Sequence, residues 1–152
     1  LPEKALDRSI PGFANLYINS IVKDIIPYVE KNFRVIASPD ARAVSGLSMG
    51  GGHTLSVTNE YPGLFGYICP LSMGIRDTQT DIDSKLQAVK NAGYKLYWVG
   101  CGTEDFVYEM AKSLDVALTR NELNHTFYVT GGVHTWSNWR IYLNTFAQLL
   151  FK

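Results

Sequence analysis

Cysteine and histidine are scarce in this chain of 152 residues, which has two cysteines and three histidines. So few cysteines exclude a disulfide-rich scaffold, and no Cys/His cluster has the spacing of a zinc site. Acidic and basic side chains balance at 14 each, so no basic surplus points to nucleic acid. The apolar runs are much shorter than the roughly 20 residues that span a membrane. The sequence therefore predicts a globular domain with no cofactor, no metal and no membrane or nucleic-acid partner.

The segment Gly46-Leu47-Ser48-Met49-Gly50 lies where a predicted strand meets a glycine-rich helix start. This G-x-S-x-G pattern is typical of a nucleophile elbow, a sharp strand-to-helix turn that exposes a serine hydroxyl above a sheet. We expect glycine at 46 and 50 because a side chain at either position would collide with neighbouring backbone. The backbone N–H of Met49 is then a candidate oxyanion donor. The alternative interpretation is a glycine-rich helix start with an incidental serine.

A serine nucleophile needs a base, and the chain offers three histidines. His53 follows Ser48 on the same predicted helix and is expected to point away from it. His125 precedes an apolar run and is interpreted as the residue that begins a strand. His134 follows the predicted strand 126–130 through two glycines, in a loop that opens the last helix. His134 is therefore the candidate base, with an ordinary loop histidine as the alternative.

The acid that orients this base should follow another strand, because the expected chain order is Ser, then Asp or Glu, then His. The buried-strand pattern of 95–100 leads into two carboxylates, Glu104 and Asp105. Asp105 is favoured because it directly precedes the next helix and has the shorter reach to an imidazole. Glu104 is the alternative, and Asp105 could also serve only as a helix N-cap.

Strands alternate with helices along the chain, which predicts an α/β fold with a parallel sheet flanked by helices. Strands are predicted at 42–46, 67–71, 95–100 and 126–130, and helices at 50–59, 83–92, 106–123 and 136–151. An earlier amphipathic helix is predicted over 17–32, with a bend at Pro27. The strands are apolar throughout, as in a sheet covered on both faces. With no internal repeat or linker, 1–152 is read as a single domain.

Further residues are predicted from their positions near this sheet edge. Ser72 and Met73 follow the second strand, where open α/β sheets bind ligands, and Trp139 lies one turn into the last helix. These three are candidate substrate-binding residues, with turn or core packing roles as the alternatives. Cys69 and Cys101 follow adjacent strands and are expected to be buried free thiols, with a disulfide as the alternative.

Four segments together resemble the esterase D-like esterase family, which includes the carbohydrate esterase family 1 feruloyl and acetylxylan esterases. They are 46–52, 102–105, 131–136 and 28–35. The resemblance implies an α/β-hydrolase fold with a Ser48-His134-Asp105 triad. It also implies hydrolysis of feruloyl or acetyl esters on plant cell-wall xylan or its oligosaccharides, by a secreted or periplasmic bacterial enzyme. Cytoplasmic location stays open, as do S-formylglutathione hydrolysis, siderophore-ester hydrolysis and mycolyl transfer on the same triad.

Length departs from this family pattern. Its members run to roughly 250 residues, and the strands that normally precede the nucleophile strand are not predicted here. We therefore expect the chain to be the C-terminal half of such a domain. The strand before Ser48 would then have an open edge, which predicts pairing with a second copy or with a missing N-terminal half. The second oxyanion donor comes from a loop after the third strand of the full fold. A fragment serving only binding or assembly is thus the alternative function.

Overall fold

The computed structural model describes residues 13–76 and 80–152. It divides into two compact units, Leu1–Ala37 and Ser38–Lys152. The segments 1–15 and 73–82, rich in Pro, Gly, Ser, Asp and Thr, are predicted from the sequence to be loops. The first lies largely, and the second partly, outside the described residues.

In the described residues of the first unit, 13–37, the chain forms an interrupted helix. Helix α1 (Phe13–Ser20) continues through a π-helical segment (Ile21–Ile25) into helix α2 (Ile26–Asn32). Pro27 has no backbone N–H to donate, and just before it the N–H of Ile26 bonds to the carbonyl of Ile21, five residues back. The predicted bend at Pro27 therefore corresponds to a change in the helical hydrogen-bond pattern, and the helix begins earlier than expected.

The second unit contains a four-stranded parallel sheet. Its strands are β1 (Ala43–Leu47), β2 (Tyr67–Leu71), β3 (Leu96–Gly102) and β4 (Thr126–Thr130), in that spatial order. The predicted parallel sheet is confirmed. Because every strand runs in the same direction, all four carboxyl ends meet at one edge of the sheet. Within the described part of the chain, β1 and β4 are the outer strands.

Helices follow the strands in strict alternation. They are α3 (Met49–Glu60), α4 (Ile82–Ala92), α5 (Tyr108–Arg120) and α6 (Trp136–Ala147). The predicted helix over 106–123 is too long at both ends. At the carboxyl end, Glu122 takes a left-handed conformation with φ of +56° two residues beyond the last helical residue, Arg120. The last helix likewise ends at Ala147 rather than at 151.

Alternate residues of the central strands face two separate cores. Ile68 and Tyr97 pack with apolar side chains of α3, α4 and α5, whereas Cys69 and Trp98 pack with α6. All five residues of β2 are buried. This two-sided burial explains why the central strands are apolar throughout, and within the described residues of this unit α6 packs on the face opposite α3, α4 and α5.

Candidate active site

Ser48 occupies a strained turn between β1 and α3. Its backbone has φ of +54° and ψ of −120°, a region that non-glycine residues rarely adopt and that clusters at functional sites. The conformation is held from both sides. The N–H of Ser48 donates to the carbonyl of Leu71 at 3.0 Å, and its own carbonyl accepts from the N–H of Gly52 at 3.1 Å. The turn therefore presents a half-buried serine at the carboxyl edge of the sheet.

Two crowded positions at this turn require glycine: Gly46, which was predicted, and Gly51, which was not. A Cβ on Gly46 would lie 2.3 Å from the carbonyl atoms of Gly50, so that close approach requires glycine. A Cβ on Gly50 would meet no atom within 4 Å, so the predicted collision at position 50 is wrong. The second crowded position is Gly51, whose Cβ would lie 2.7 Å from Cβ of Met73. Met73 therefore packs against the first turn of α3.

Met49 is the first residue of α3, so its N–H has no carbonyl four residues earlier to bond. The donor stands next to Ser48 at the positive end of the helix dipole. The side chain of Met49 is 61% exposed. Its backbone therefore has the features of one oxyanion donor, while its side chain lies at the surface of the site.

Asp105 and His134 form a hydrogen-bonded pair. Nδ1 of His134 lies 2.9 Å from both carboxylate oxygens of Asp105. The Asp105 side chain is fully buried, and one of its oxygens also accepts the N–H of Val107 at 3.1 Å. Because a carboxylate accepts hydrogen bonds, Nδ1 carries the proton of the neutral ring, and Nε2 is left as the acceptor that a base requires. The alternative acid, Glu104, has an exposed side chain.

Backbone hydrogen bonds hold the acid loop against the histidine loop. At the ends of β3 and β4, the N–H of Thr103 donates to the carbonyl of Thr130 at 2.8 Å. One residue further, the N–H of Glu104 donates to the carbonyl of Gly132 at 3.1 Å. The register of the two parallel strands thus continues into the loops that carry Asp105 and His134.

Asn138 is a residue of this site that the sequence reasoning missed. Its side-chain amide donates to the carbonyls of Gly131 at 3.2 Å and Val133 at 3.1 Å, on either side of the turn that precedes His134. Asn138 is 7% exposed and lies in the first turn of α6. No local pattern distinguishes such an asparagine from any polar helix residue, because its acceptors are defined only by the folded loop.

Ser72 and Trp139, two of the predicted substrate-binding residues, bond to each other. The indole N–H of Trp139 donates to Oγ of Ser72 at 2.8 Å. Ser72 is 1% exposed and Trp139 is 8% exposed. The Trp139 ring meets the His134 imidazole edge to face, with centroids 4.9 Å apart. Their role as substrate contacts, like that of Met73, stays a prediction.

Two exposed aromatic rings extend the aromatic group around the imidazole. The Phe106 ring centroid lies 4.5 Å from that of His134, and Phe106 is 79% exposed. Trp136 is 64% exposed and packs edge to face against Trp139, with centroids 5.2 Å apart. The imidazole is therefore in contact with the interior ring of Trp139 and the solvent-facing ring of Phe106, and Trp136 packs on the first of these.

The other histidines lie elsewhere. His125 directly precedes β4, at the opposite end of that strand from His134. Its ring nitrogens lie 2.7 Å from the carbonyl of Leu123 and 2.9 Å from Oδ1 of Asp115. This second Asp–His pair is thus remote from the carboxyl edge. His53 lies within α3, where burial lowers its pKa.

Within residues 13–76 and 80–152, no hydrogen bond joins Oγ of Ser48 to Nε2 of His134. Such bonds are often long without substrate and tighten when substrate binds. The described residues also contain no cluster of three His, Cys, Asp or Glu side chains that could hold a metal. None of their helices is long and apolar enough to cross a membrane.

Cys69 and Cys101 are both free and buried, as expected. The pKa of each thiol is raised to about 12, mainly by burial, and at Cys101 the nearby Asp105 carboxylate contributes to the rise. Such thiols stay protonated at neutral pH and are poor nucleophiles. The candidate nucleophile at this edge is therefore Ser48.

A family model described as "Putative esterase" matches residues 6–149. An endo-1,4-beta-xylanase/feruloyl esterase of Xylanibacter ruminicola is 32% identical over 132 residues, which cover 87% of this chain and 17% of that protein. A ferulic acid esterase from Anaeromyces mucronatus superposes with a TM-score of 0.77 at 24% identity, over 92% of this chain and 55% of that one. A feruloyl esterase module from Clostridium thermocellum, complexed with sinapinate, gives 0.77 at 21% identity over 91% and 59%.

The chain thus spans little more than half the length of these solved structures. Their likeness to it confirms the predicted α/β-hydrolase fold, in which the described sheet and its helices form one contiguous part.

Proposed function

The chain belongs to the family described as "Putative esterase", and we propose that it works as a serine carboxylesterase through Ser48, His134 and Asp105. One observation carries this proposal. The buried Asp105 carboxylate bonds Nδ1 of His134 at the same sheet edge where Ser48 stands in a strained turn. An orienting acid, a base with a free nitrogen and a serine hydroxyl at the same sheet edge are the parts that acyl transfer to serine requires.

Each of these residues has a defined step in the reaction. Oγ of Ser48 attacks the ester carbonyl while Nε2 of His134 takes its proton. Asp105 keeps the proton on Nδ1 and stabilises the imidazolium that forms. The N–H of Met49 donates to the carbonyl oxygen as it becomes negative. When the ester C–O bond breaks, Nε2 returns the proton to the leaving alcohol, and water then cleaves the acyl-serine by the same steps.

The proposed substrates are feruloyl or acetyl esters that decorate plant cell-wall xylan, in polymer or oligosaccharide form. Support comes from the names of the Xylanibacter relative and of the two solved esterases, which act on or are named for ferulic acid esters. An ester on an insoluble wall polymer can only be reached outside the cell, so the proposal includes secretion or export to the periplasm.

The test compares the chain with its Ser48→Ala variant on methyl ferulate and on acetylated xylo-oligosaccharide. We expect hydrolysis, and labelling by a serine-directed phosphonate, that both disappear in Ser48→Ala. Ser45→Ala is the matched control, because Ser45 is an exposed residue of β1 whose hydroxyl bonds only to the Cys69 carbonyl. Labelling that persists in Ser48→Ala would refute the proposed nucleophile. Preference for S-formylglutathione over both esters would retain the triad and overturn the substrate class.

A further inference from the structure

The exposed ring of Phe106 contacts the imidazole of the histidine that must protonate the leaving alcohol, and the exposed ring of Trp136 packs on Trp139, the buried ring that also contacts this imidazole. We propose that these rings form a platform for a sugar ring in the alcohol half of the ester, beside the bond that is cleaved. This inference rests on the proposed function, and it concerns which ester is chosen rather than how the ester is cleaved.

The position of Phe106 follows from the proton transfer. The alcohol oxygen must lie about 3 Å from Nε2 of His134 to receive its proton. The Phe106 ring centroid is 4.5 Å from the imidazole centroid, so this exposed ring lies beside the group that donates the proton. The acyl group stays bonded to Oγ of Ser48 when the alcohol leaves. We therefore assign the ring beside the proton donor to the alcohol half of the ester.

The exposure of the two rings shows that they do not pack in the hydrophobic core. Phe106 is 79% exposed and Trp136 is 64% exposed, whereas Trp139 in the same aromatic group is 8% exposed. Clustered exposed aromatic surface beside reactive groups is typical of a ligand contact.

Both rings are also held in place before a ligand arrives. Trp136 packs edge to face on Trp139, whose indole is anchored by Ser72. Phe106 directly follows the buried Asp105 and rests on the imidazole. Binding to such preorganised rings loses little side-chain entropy.

The chemistry of the platform favours a neutral sugar over a charged leaving group. Pyranose and furanose rings carry apolar C–H faces that lie flat on aromatic rings, while their hydroxyls stay in water. Neither Phe106 nor Trp136 contributes a charge. A pentose of the xylan chain or of its side branches has an apolar face that an exposed aromatic ring can cover.

The experiment measures kcat/KM on two ferulate esters that differ only in the alcohol, methyl ferulate and feruloylated arabinoxylo-oligosaccharide. In Phe106→Ala and Trp136→Ala, we expect the ratio of kcat/KM on the oligosaccharide ester to kcat/KM on methyl ferulate to fall about three- to tenfold. Phe106→Tyr keeps the ring face and should keep the ratio. Leu143→Ala is the matched control, because Leu143 is a large apolar residue of α6 that is 56% exposed. Any effect of a substitution on catalysis by His134 lowers kcat/KM on both esters equally, so it cancels in this ratio.

Three outcomes would overturn the platform. The ratio could stay constant in both alanine variants, or both esters could lose activity equally, which would mean that the rings only support the imidazole. The third is a larger loss on methyl ferulate, which would assign the rings to the acyl group. In each case the esterase proposal survives, because it is judged by Ser48→Ala.

A binding assay extends the test to an enzyme that does not turn over. Calorimetric titration of Ser48→Ala with unesterified arabinoxylo-oligosaccharide should show binding that weakens about three- to tenfold when Phe106→Ala is added. No binding, or binding that the second substitution leaves unchanged, would overturn the platform independently of catalysis.

Discussion

The bond between Ser72 and Trp139 yields the sharpest test of how this site is held. Its donor and acceptor lie 2.8 Å apart, and both residues are almost fully buried. Ser72→Ala leaves the indole N–H buried without an acceptor, which costs about 1–3 kcal/mol of folding free energy. Trp139→Phe removes the donor and part of a buried ring, and it should cost about 2–4 kcal/mol.

The double variant separates the hydrogen bond from the packing. In the double variant, neither the donor nor the acceptor is left buried without its partner. Its loss of unfolding free energy should therefore be smaller than the sum of the two single losses by about 1–2 kcal/mol. Urea unfolding of the four proteins measures this coupling. Additive losses would mean that the bond does not contribute in solution.

The same variants decide between two roles for Trp139. The ring centroids of Trp139 and His134 lie 4.9 Å apart. If the Trp139 ring positions the imidazole, Trp139→Phe should lower kcat on methyl ferulate about tenfold with little change in KM. Ser72→Ala should shift kcat in the same direction, because Ser72 anchors the indole of Trp139. If Trp139 instead lines the substrate pocket, KM rises while kcat stays constant. That result would refute the positioning role and favour the substrate contact expected from the sequence.

Three further predictions concern the acid, the thiols and the sheet edge. Asp105→Asn should lower kcat about ten-thousandfold, because an amide no longer holds the required imidazole tautomer. Glu104→Gln should change kcat less than about twofold, and a comparable loss in that variant would identify Glu104 as the acid. Cys69 and Cys101, with pKa values raised by burial, should resist iodoacetamide at pH 8 until the protein unfolds. Since folding keeps them protonated, their contribution to stability is complete below pH 9 and lost as pH rises toward 12; fast labelling of the native protein would contradict this. Finally, β1 is an outer strand of the described sheet, so light scattering after size exclusion should detect a dimer or larger species, and a monomer would overturn that expectation.

The elements that local patterns determine were predictable from the sequence. The strand β2 was placed at its observed bounds because all five of its residues are buried and apolar. The turn at Ser48 was predictable because its sharpness demands glycine at a fixed offset, Gly46. The helix predicted over 106–123 was extended too far because apolar residues continue to Leu123. Leu123 is buried although it lies beyond the helix end, so its apolar character reflects core packing and not helical structure.

The contacts between distant segments were not predictable from local patterns. Ser72 and Trp139 are 67 residues apart in the chain, and only the folded sheet brings the hydroxyl to the indole. The need for glycine at Gly51 depends on Met73, a neighbour from the loop after another strand. Asn138 finds its acceptors only once the histidine loop has formed. Tertiary packing, which has no fixed spacing in sequence, decides each of these.

The supports of His134 come from two neighbouring strand ends and one helix, all within Ser38–Lys152. The end of β2 contributes Ser72, the end of β3 contributes the Asp105 loop, and α6 contributes Asn138 and Trp139. The contacts that hold the imidazole are buried and independent of what the ester carries, whereas the rings of the platform face solvent. Substitutions at the buried supports should therefore lower kcat on every ester in parallel, and substitutions at the exposed rings should change which ester is preferred. The two groups of variants separate geometry from specificity within a single active site.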